Sequence, residues 1–214
     1  MELRIEREHD VESWQEVILI YSAALKQINT KLEILNDEFQ RVHKYNPFEH
    51  IKSRIKTSES IVKKLRRYGY ESTISNMISR VNDIAGIRVV CSFTSDIHRI
   101  ADMIRRQADI RILGVKDYLA EPKENGYKSY HMLVSVPVHL SNRIIDAKVE
   151  IQIRTVAMEF WASLEHKIHY KFEGNIPAHI EAELAACAKM VSELDNKMLS
   201  LNNEVLALDV DEDY

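Results

Sequence analysis

Glu150-Ile151-Gln152-Ile153-Arg154-Thr155 alternates polar and apolar side chains, and this alternation decides the fold. Residues two apart share a face of a strand, so Glu150, Gln152 and Arg154 point one way while Ile151 and Ile153 point to a core. Three polar groups on one face of a central strand are costly to bury. The pattern therefore predicts a sheet with one face packed and the other lining a wet cleft. Ile144 to Ile153 reads as one strand, and Tyr130 to Val138 is a second, across a turn at Ser141-Asn142.

Further out, Ile84 to Phe93 (IAGIRVVCSF) and Ile110 to Tyr118 read as strands, and His50 to Lys56 alternates over a shorter one. Between them, Ser58 to Tyr68 is a helix ended by Gly69, Ile74 to Arg80 is a short one, and Ser95 to Gln107 is amphipathic with Ser95 as expected N-cap. Trp14, Val17, Ile18, Tyr21, Leu25 and Ile28 open an apolar stripe that predicts one long helix over 10–43, broken by Tyr45-Asn46-Pro47. Thr155 to Lys171 is helical, and Pro177 opens a last helix reaching Leu208. The order predicts an α+β fold: a mixed sheet of about five strands covered by helices, with long helices at both ends.

The 214 residues, 45% hydrophobic, suit one compact domain with a real core. A net charge of −4 carries no overall nucleic-acid signature, and nucleic acid is not an expected partner. The distribution is more informative, because residues 52–67 hold seven Lys or Arg against one Glu. Cys91 and Cys187 form no CxxC and no disulfide framework, which points to a reducing cytoplasm. The opening MELRIEREHD is too charged for a signal peptide, and no apolar run approaches the ~18–20 residues of a membrane span.

Three groups of residues carry chemistry. Arg54 and Lys56 share a strand face, and Ser60, Lys64 and Arg67 share a helix face near a helix start, an arrangement suited to one polyphosphate or to a plain solvated basic surface. Asp83 precedes one strand and Glu150 lies on another. Two such carboxylates suit Mg²⁺, which takes its remaining oxygens from phosphate and water, or they simply pair with Arg88 or Arg154. The loop around Lys123, Asn125, Gly126, Tyr127 and His131 offers a stacking ring, donors and a close backbone approach, or is a hairpin turn. Stacking asks for the Tyr127 ring and not for its hydroxyl. Phe160, Trp161, Leu164, Ile168 and Phe172 form an apolar stripe expected in the core. Glu165-His166-Lys167-Ile168-His169 is not the His-Glu-x-x-His of zinc proteases, and neither GxxxxGK[ST] nor GxGxxG occurs.

In order, Arg54-x-Lys56, Ser60-x3-Lys64-x2-Arg67, Asp83-Ile84-Ala85-Gly86-Ile87-Arg88, Lys116-Asp117-Tyr118, Pro122-Lys123-x-Asn125-Gly126-Tyr127-x-Ser129-x-His131 and Glu150 through Trp161-Ala162-x2-Glu165-His166 resemble the synthetase domain of the RelA/SpoT family. The chain is similar to the small alarmone synthetases, with Asn46 to His50 and Ala157 to Phe160 nearer the RelP branch. The resemblance implies one synthetase domain over 1–214: an N-terminal helical arm (1–46), a catalytic core (47–171), a C-terminal helix (172–208) and an acidic tail (209–214). It implies transfer of pyrophosphate from ATP to the 3′-hydroxyl of GDP or GTP, releasing AMP, in stringent-response alarmone production by a homotetramer without hydrolase activity.

By the same resemblance Arg54 and Arg88 hold the adenine, and Lys56, Ser60, Lys64 and Arg67 hold the ATP phosphates. Asp83 and Glu150 serve Mg²⁺, Glu150 also taking the proton of the hydroxyl. Tyr127 stacks on guanine, Lys123 and His131 contact the acceptor phosphates, and Asn125, Gln152 and Glu165 belong to that side. His50 and Glu159 stand where RelQ-like relatives bind pppGpp as activator, and the carboxylate at Glu159 leads to the expectation that pppGpp does not activate this chain. A different nucleotidyltransferase, or a nucleotide- or RNA-binding regulatory module on the same fold, is the alternative.

Overall fold

The computed structural model describes residues 5–6, 13–171 and 176–211. The expected helix start at residue 10, Phe172 and the tail at 212–214 lie outside the described residues. The elements are β1 (Ile5–Glu6), α1 (Trp14–Val42), β2 (Phe48–Ile55), α2 (Ser58–Arg67), α3 (Ile74–Arg80), β3 (Ala85–Cys91), α4 (Thr94–Arg105), β4 (Arg111–Asp117), β5 (Tyr130–His139), β6 (Ile144–Thr155), α5 (Val156–Lys171) and α6 (Ala178–Asp211). The last helix thus runs three residues past the expected end at 208.

The sheet runs β2-β3-β6-β5-β4, with the two-residue β1 also paired to β6. β3 and β6 are parallel, and β2–β3, β6–β5 and β5–β4 are antiparallel, so the sheet is mixed as the sequence pattern predicts. The β5–β6 hairpin closes with the Leu140 amide donating to the Arg143 carbonyl at 2.9 Å. In β6, Ile145, Ala147, Val149, Ile151 and Ile153 are buried while the intervening residues from Ile144 to Gln152 are only half-buried. One face is therefore packed and the other is open.

α1 begins at Ser13, whose hydroxyl accepts from the Glu16 amide at 3.2 Å and caps the helix. Val17, Ile20, Ala24, Ile28, Leu32 and Phe39 recur at helical spacing and are all buried. This face lies against β2, β3, β5 and β6, so α1 is a wall of the core. Each fully buried Ile or Leu there contributes about 1.5–3 kcal/mol.

Two further expectations change. The N-cap of α4 is Phe93 and not Ser95: the Asp96 carboxylate, inside the first turn, accepts from the Phe93 amide at 3.1 Å and also from the Tyr45 hydroxyl. A carboxylate at the third helical position satisfies the end from within, so no hydroxyl is needed at the cap. The α5 stripe is only partly core. Trp161 is 5% exposed under α6, its indole donating to the Leu184 carbonyl at 2.9 Å, whereas Phe160 is 62% exposed and Leu164 and Ile168 also face outward. α5 packs mainly on α6 and on the adjoining ends of β3 and β6, and that covers one side of it.

Candidate active site

Two cross-strand rows form the open floor. Lys52 pairs with Arg88, Arg88 with Gln152, Gln152 with His131 and His131 with Lys116. In the next row Arg54 pairs with Gly86, Gly86 with Glu150 and Glu150 with Leu133. The alternation of five separate strands thus places residues from β2 across to β4 side by side.

Three adjoining hollows cover this floor, and Arg54 lines all of them. One of about 270 Å³ holds Asp83, Gly86, Arg88 and Glu150. One of about 620 Å³ holds Lys56, Ser60, Lys64, Arg67 and His166. One of about 380 Å³ holds Arg88, Tyr127, Gln152, Arg154 and Glu165. The basic set is therefore one cationic pocket, and the polar face of β6 borders an aromatic one.

Asp83 sits between two lysines, with Lys56 Nζ donating at 2.6 Å and Lys64 Nζ at 2.7 Å. The Lys56 amide donates to the Ile84 carbonyl at 2.8 Å, which fixes the end of β2 beside the approach to β3. Burial pushes the Asp83 carboxyl up, but the two ammonium groups outweigh it and hold it below the usual range. Ser60 is at the start of α2 as expected, although its amide is already capped by Thr57 Oγ1 at 3.3 Å. Its hydroxyl, accepting from the Thr57 hydroxyl at 3.0 Å, faces the same hollow as Lys64 and Arg67. The Arg67 guanidinium donates to the Tyr68 hydroxyl at 3.2 Å and lies over that ring.

Glu150 belongs to a closed circuit. Gln152 Nε2 donates to Glu150 at 2.7 Å, and His131 Nδ1 lies 3.6 Å from its other oxygen. His131 Nε2 is 2.8 Å from the Tyr127 hydroxyl; Arg154 donates to that hydroxyl and, at 2.9 Å, to Gln152 Oε1. Burial raises the Glu150 carboxyl, and the His131 and Gln152 contacts more than reverse that. Tyr127 is held above its usual range by burial, against the pull of Arg154. Lys123 Nζ stands 4.6 Å from the Tyr127 ring centroid and the Arg154 guanidinium 5.0 Å from it, so cations flank the ring expected to stack a base.

Asn125 Oδ1 accepts from the Tyr127 amide at 3.2 Å and Asn125 Nδ2 donates to Glu165 at 3.0 Å, tying the loop to α5. Gly126, at φ +85°, does serve a close approach, but to α6: a Cβ there would lie 2.5 Å from the Ala188 Cβ. Lys128 Nζ donates to Ser192 on the same helix at 2.6 Å.

Neither carboxylate pairs with Arg88 or Arg154. Both guanidiniums go instead to Glu159, at 2.6 Å and 2.9 Å. The pairing of Glu159 with both arginines and the tethering of the loop to α6 are what sequence reading misses. Arg154 is visible on the polar face, but nothing in the spacing names its partner. Asp83 and Glu150 line one hollow, and among the described residues no group of three or more His, Cys, Asp or Glu side chains is placed to cage a metal. The pair fits a hard cation that takes the rest of its oxygens from phosphate and water.

A model of the region found in RelA / SpoT proteins matches residues 53–175. The chain is 47% identical to the GTP pyrophosphokinase YwaC of Bacillus subtilis, over 91% of this chain and 93% of that protein. Small alarmone synthetase 2 from Bacillus subtilis superposes with a TM-score of 0.82 at 45% identity, covering 90% of this chain and 100% of that one. Small alarmone synthetase 1 from the same organism, bound to its product pppGpp, gives a TM-score of 0.84 at 34% identity, covering 90% and 97%. The basic pocket, the two carboxylates and the Tyr127 loop all lie within the matched span, and the chain belongs to the RelA/SpoT family.

Proposed function

We propose that this chain is a (p)ppGpp synthetase that moves the pyrophosphate of ATP to the ribose 3′-hydroxyl of GDP or GTP and releases AMP. The observation that carries this reading is the junction of two pockets on one floor. The cationic hollow of Lys56, Ser60, Lys64 and Arg67 meets the aromatic hollow of Tyr127 at Arg54, which also lines the hollow that holds Glu150. A polyphosphate in the first and a guanosine nucleotide in the second bring their reacting atoms to Glu150.

The 3′-oxygen forms a bond to the β-phosphorus of ATP, the bond from that phosphorus to the α–β bridging oxygen breaks, and AMP leaves. Glu150 is charged and hydrogen-bonded on the floor, placed to accept the hydroxyl proton. Two triphosphates carry about eight negative charges, which must be balanced before the oxygen approaches. Lys56 and Lys64, held on Asp83, and Arg67 supply three positive charges towards that balance. Mg²⁺ on Asp83 and Glu150 would add further neutralisation. Transfer is then chiefly positioning and electrostatics.

α6 exposes Met190, Leu194, Met198, Leu201, Val205 and Leu208, spaced by three or four along one stripe. This supports assembly through the long helices as a homotetramer, and a place in the RelP-like branch is part of the proposal. No described helix is long and apolar enough to cross a membrane, and a cytoplasmic enzyme is part of the proposal. Light scattering at micromolar protein reads the assembly.

The deciding experiment is chromatography of products from ATP with GDP or GTP, with and without Mg²⁺. AMP and a 3′-pyrophosphorylated guanosine nucleotide are expected, and Glu150→Gln abolishes them while ATP still binds. Release of pyrophosphate with a transferred nucleotide would instead identify a nucleotidyltransferase.

A further inference from the structure

Glu159 lies in the first turns of α5, where the helix dipole favours a carboxylate. That turn is fixed in place: Thr155 Oγ1 accepts from the Met158 amide at 3.1 Å and donates to Asp195 on α6 at 2.6 Å. From this position Oε1 of Glu159 accepts from Arg88 on β3 at 2.6 Å and from the Ser163 hydroxyl at 2.9 Å, while Oε2 accepts from Arg154 on β6 at 2.9 Å. The Glu159 side chain is 16% exposed and Arg154 only 6% exposed, so water competes little for the Arg154 bond, whereas Arg88 is 32% exposed. Arg88 Nε is buried without a partner among the described residues, which leaves Glu159 as the group holding that guanidinium.

The two arginines share the hollow of Tyr127, and only Arg88 also lines the neighbouring one. Arg88 lines the hollow that holds Asp83 and Glu150, and Arg154 reaches the Tyr127 hydroxyl and Gln152. One carboxylate thus fixes the donor-side and acceptor-side guanidiniums at a set separation. Its pairing does not withdraw Arg88 from the site, since the paired Arg88 still lines both neighbouring hollows. We propose that Glu159 is a positioning residue for pyrophosphate transfer, a clamp that sets Arg88 and Arg154 for the two nucleotides together. The proposal rests on the synthetase reading above.

A carboxylate that positions must have both charge and reach. Glu159→Gln removes the charge, and Glu159→Asp keeps it but is one methylene short of spanning both arginines. KM for ATP, KM for GDP, kcat and melting temperature are measured for each, together with direct titration of each variant with ATP and with GDP in the absence of the second nucleotide. Both variants are expected to raise both KM values by about tenfold, the scale of one lost charge-assisted hydrogen bond, and to weaken both binding constants in parallel, with kcat falling less. The Asp variant retains the charge balance of the fold and is expected to melt near the wild type.

Unchanged KM values with a lowered melting temperature would make Glu159 merely structural and overturn the proposal. Wild-type KM values in Glu159→Asp would make charge alone sufficient and also overturn it. A lower KM for ATP in Glu159→Gln would make the ion pair an inhibitory latch, the opposite of a clamp. The synthetase reading stands or falls separately on the wild-type products, and the two titrations read the clamp whatever those products are.

Discussion

Replacing Gly126 by Ala tests how the acceptor loop is held. Gly126 has φ +85°, a conformation that costs an L-residue about 1–2 kcal/mol. The new Cβ would also lie 2.5 Å from the Ala188 Cβ, and overpacking of that kind costs about 1–3 kcal/mol. The sum, about 2–5 kcal/mol, rivals the Lys128–Ser192 hydrogen bond that docks the same loop on α6, worth about 1.5–3 kcal/mol. The loop is therefore expected to lift from α6 rather than the domain to unfold, displacing Lys123, Asn125 and Tyr127 while the Lys56–Asp83–Lys64 cluster stays in place. In steady-state assays Gly126→Ala raises KM for GDP at least about tenfold, which 1.4 kcal/mol suffices to produce, and changes KM for ATP by less than about twofold. Ala188→Gly in the same chain removes the clash at a helix cost of about 0.5–1 kcal/mol, and is expected to recover much of the GDP affinity but not the backbone strain. Equal loss for both nucleotides, or no recovery in the double variant, would refute this account of the loop.

Tyr127→Phe is expected to lower kcat about tenfold, because the hydroxyl lost is bonded to buried Arg154 and to His131, and leaving Arg154 short of a partner costs about 1–3 kcal/mol. Tyr127→Ala adds a rise in KM for GDP, and a Phe variant with wild-type kcat would return the role to the ring alone. Gly86→Val places a side chain where a Cβ meets nothing within 4 Å, in the hollow of Asp83 and Glu150. ATP titration should show at least about tenfold weaker binding, with stability within about 0.5 kcal/mol of wild type. Asp195 is buried at 7% exposure, and burial raises its carboxyl against the opposing bond from Thr155. A pKa raised in the folded state contributes stability below the unfolded value and loses it as pH rises through the folded one. Asp195→Asn keeps the acceptor without the charge, so it should melt above wild type at pH 7.5, with the gap closing towards about pH 4; a lower melting point at pH 7.5 would contradict this.

Much of the site was legible from local pattern. Alternation in Glu150–Thr155 announced an open polar face, the three-and-four spacing of Ser60, Lys64 and Arg67 announced a shared helix face, and the ordered motifs announced the family. These features depend on neighbours within a turn or a strand, where backbone periodicity alone fixes direction. The same logic failed where an acceptor lay further along the helix, as when Asp96 displaced Ser95 as the group serving the start of α4.

By itself the sequence determined which residues share a strand or helix face, and hence the mixed sheet with one wet side and the charges along it. Only the tertiary structure decided which charges meet. Arg88 finds Glu159 71 residues away, Asp83 takes two lysines and neither arginine, and Gly126 yields its space to Ala188 rather than to a nucleotide. Periodicity sets the direction of a side chain, whereas an ion pair or a backbone contact depends on the distance between elements, which is fixed only when the helices pack on the sheet.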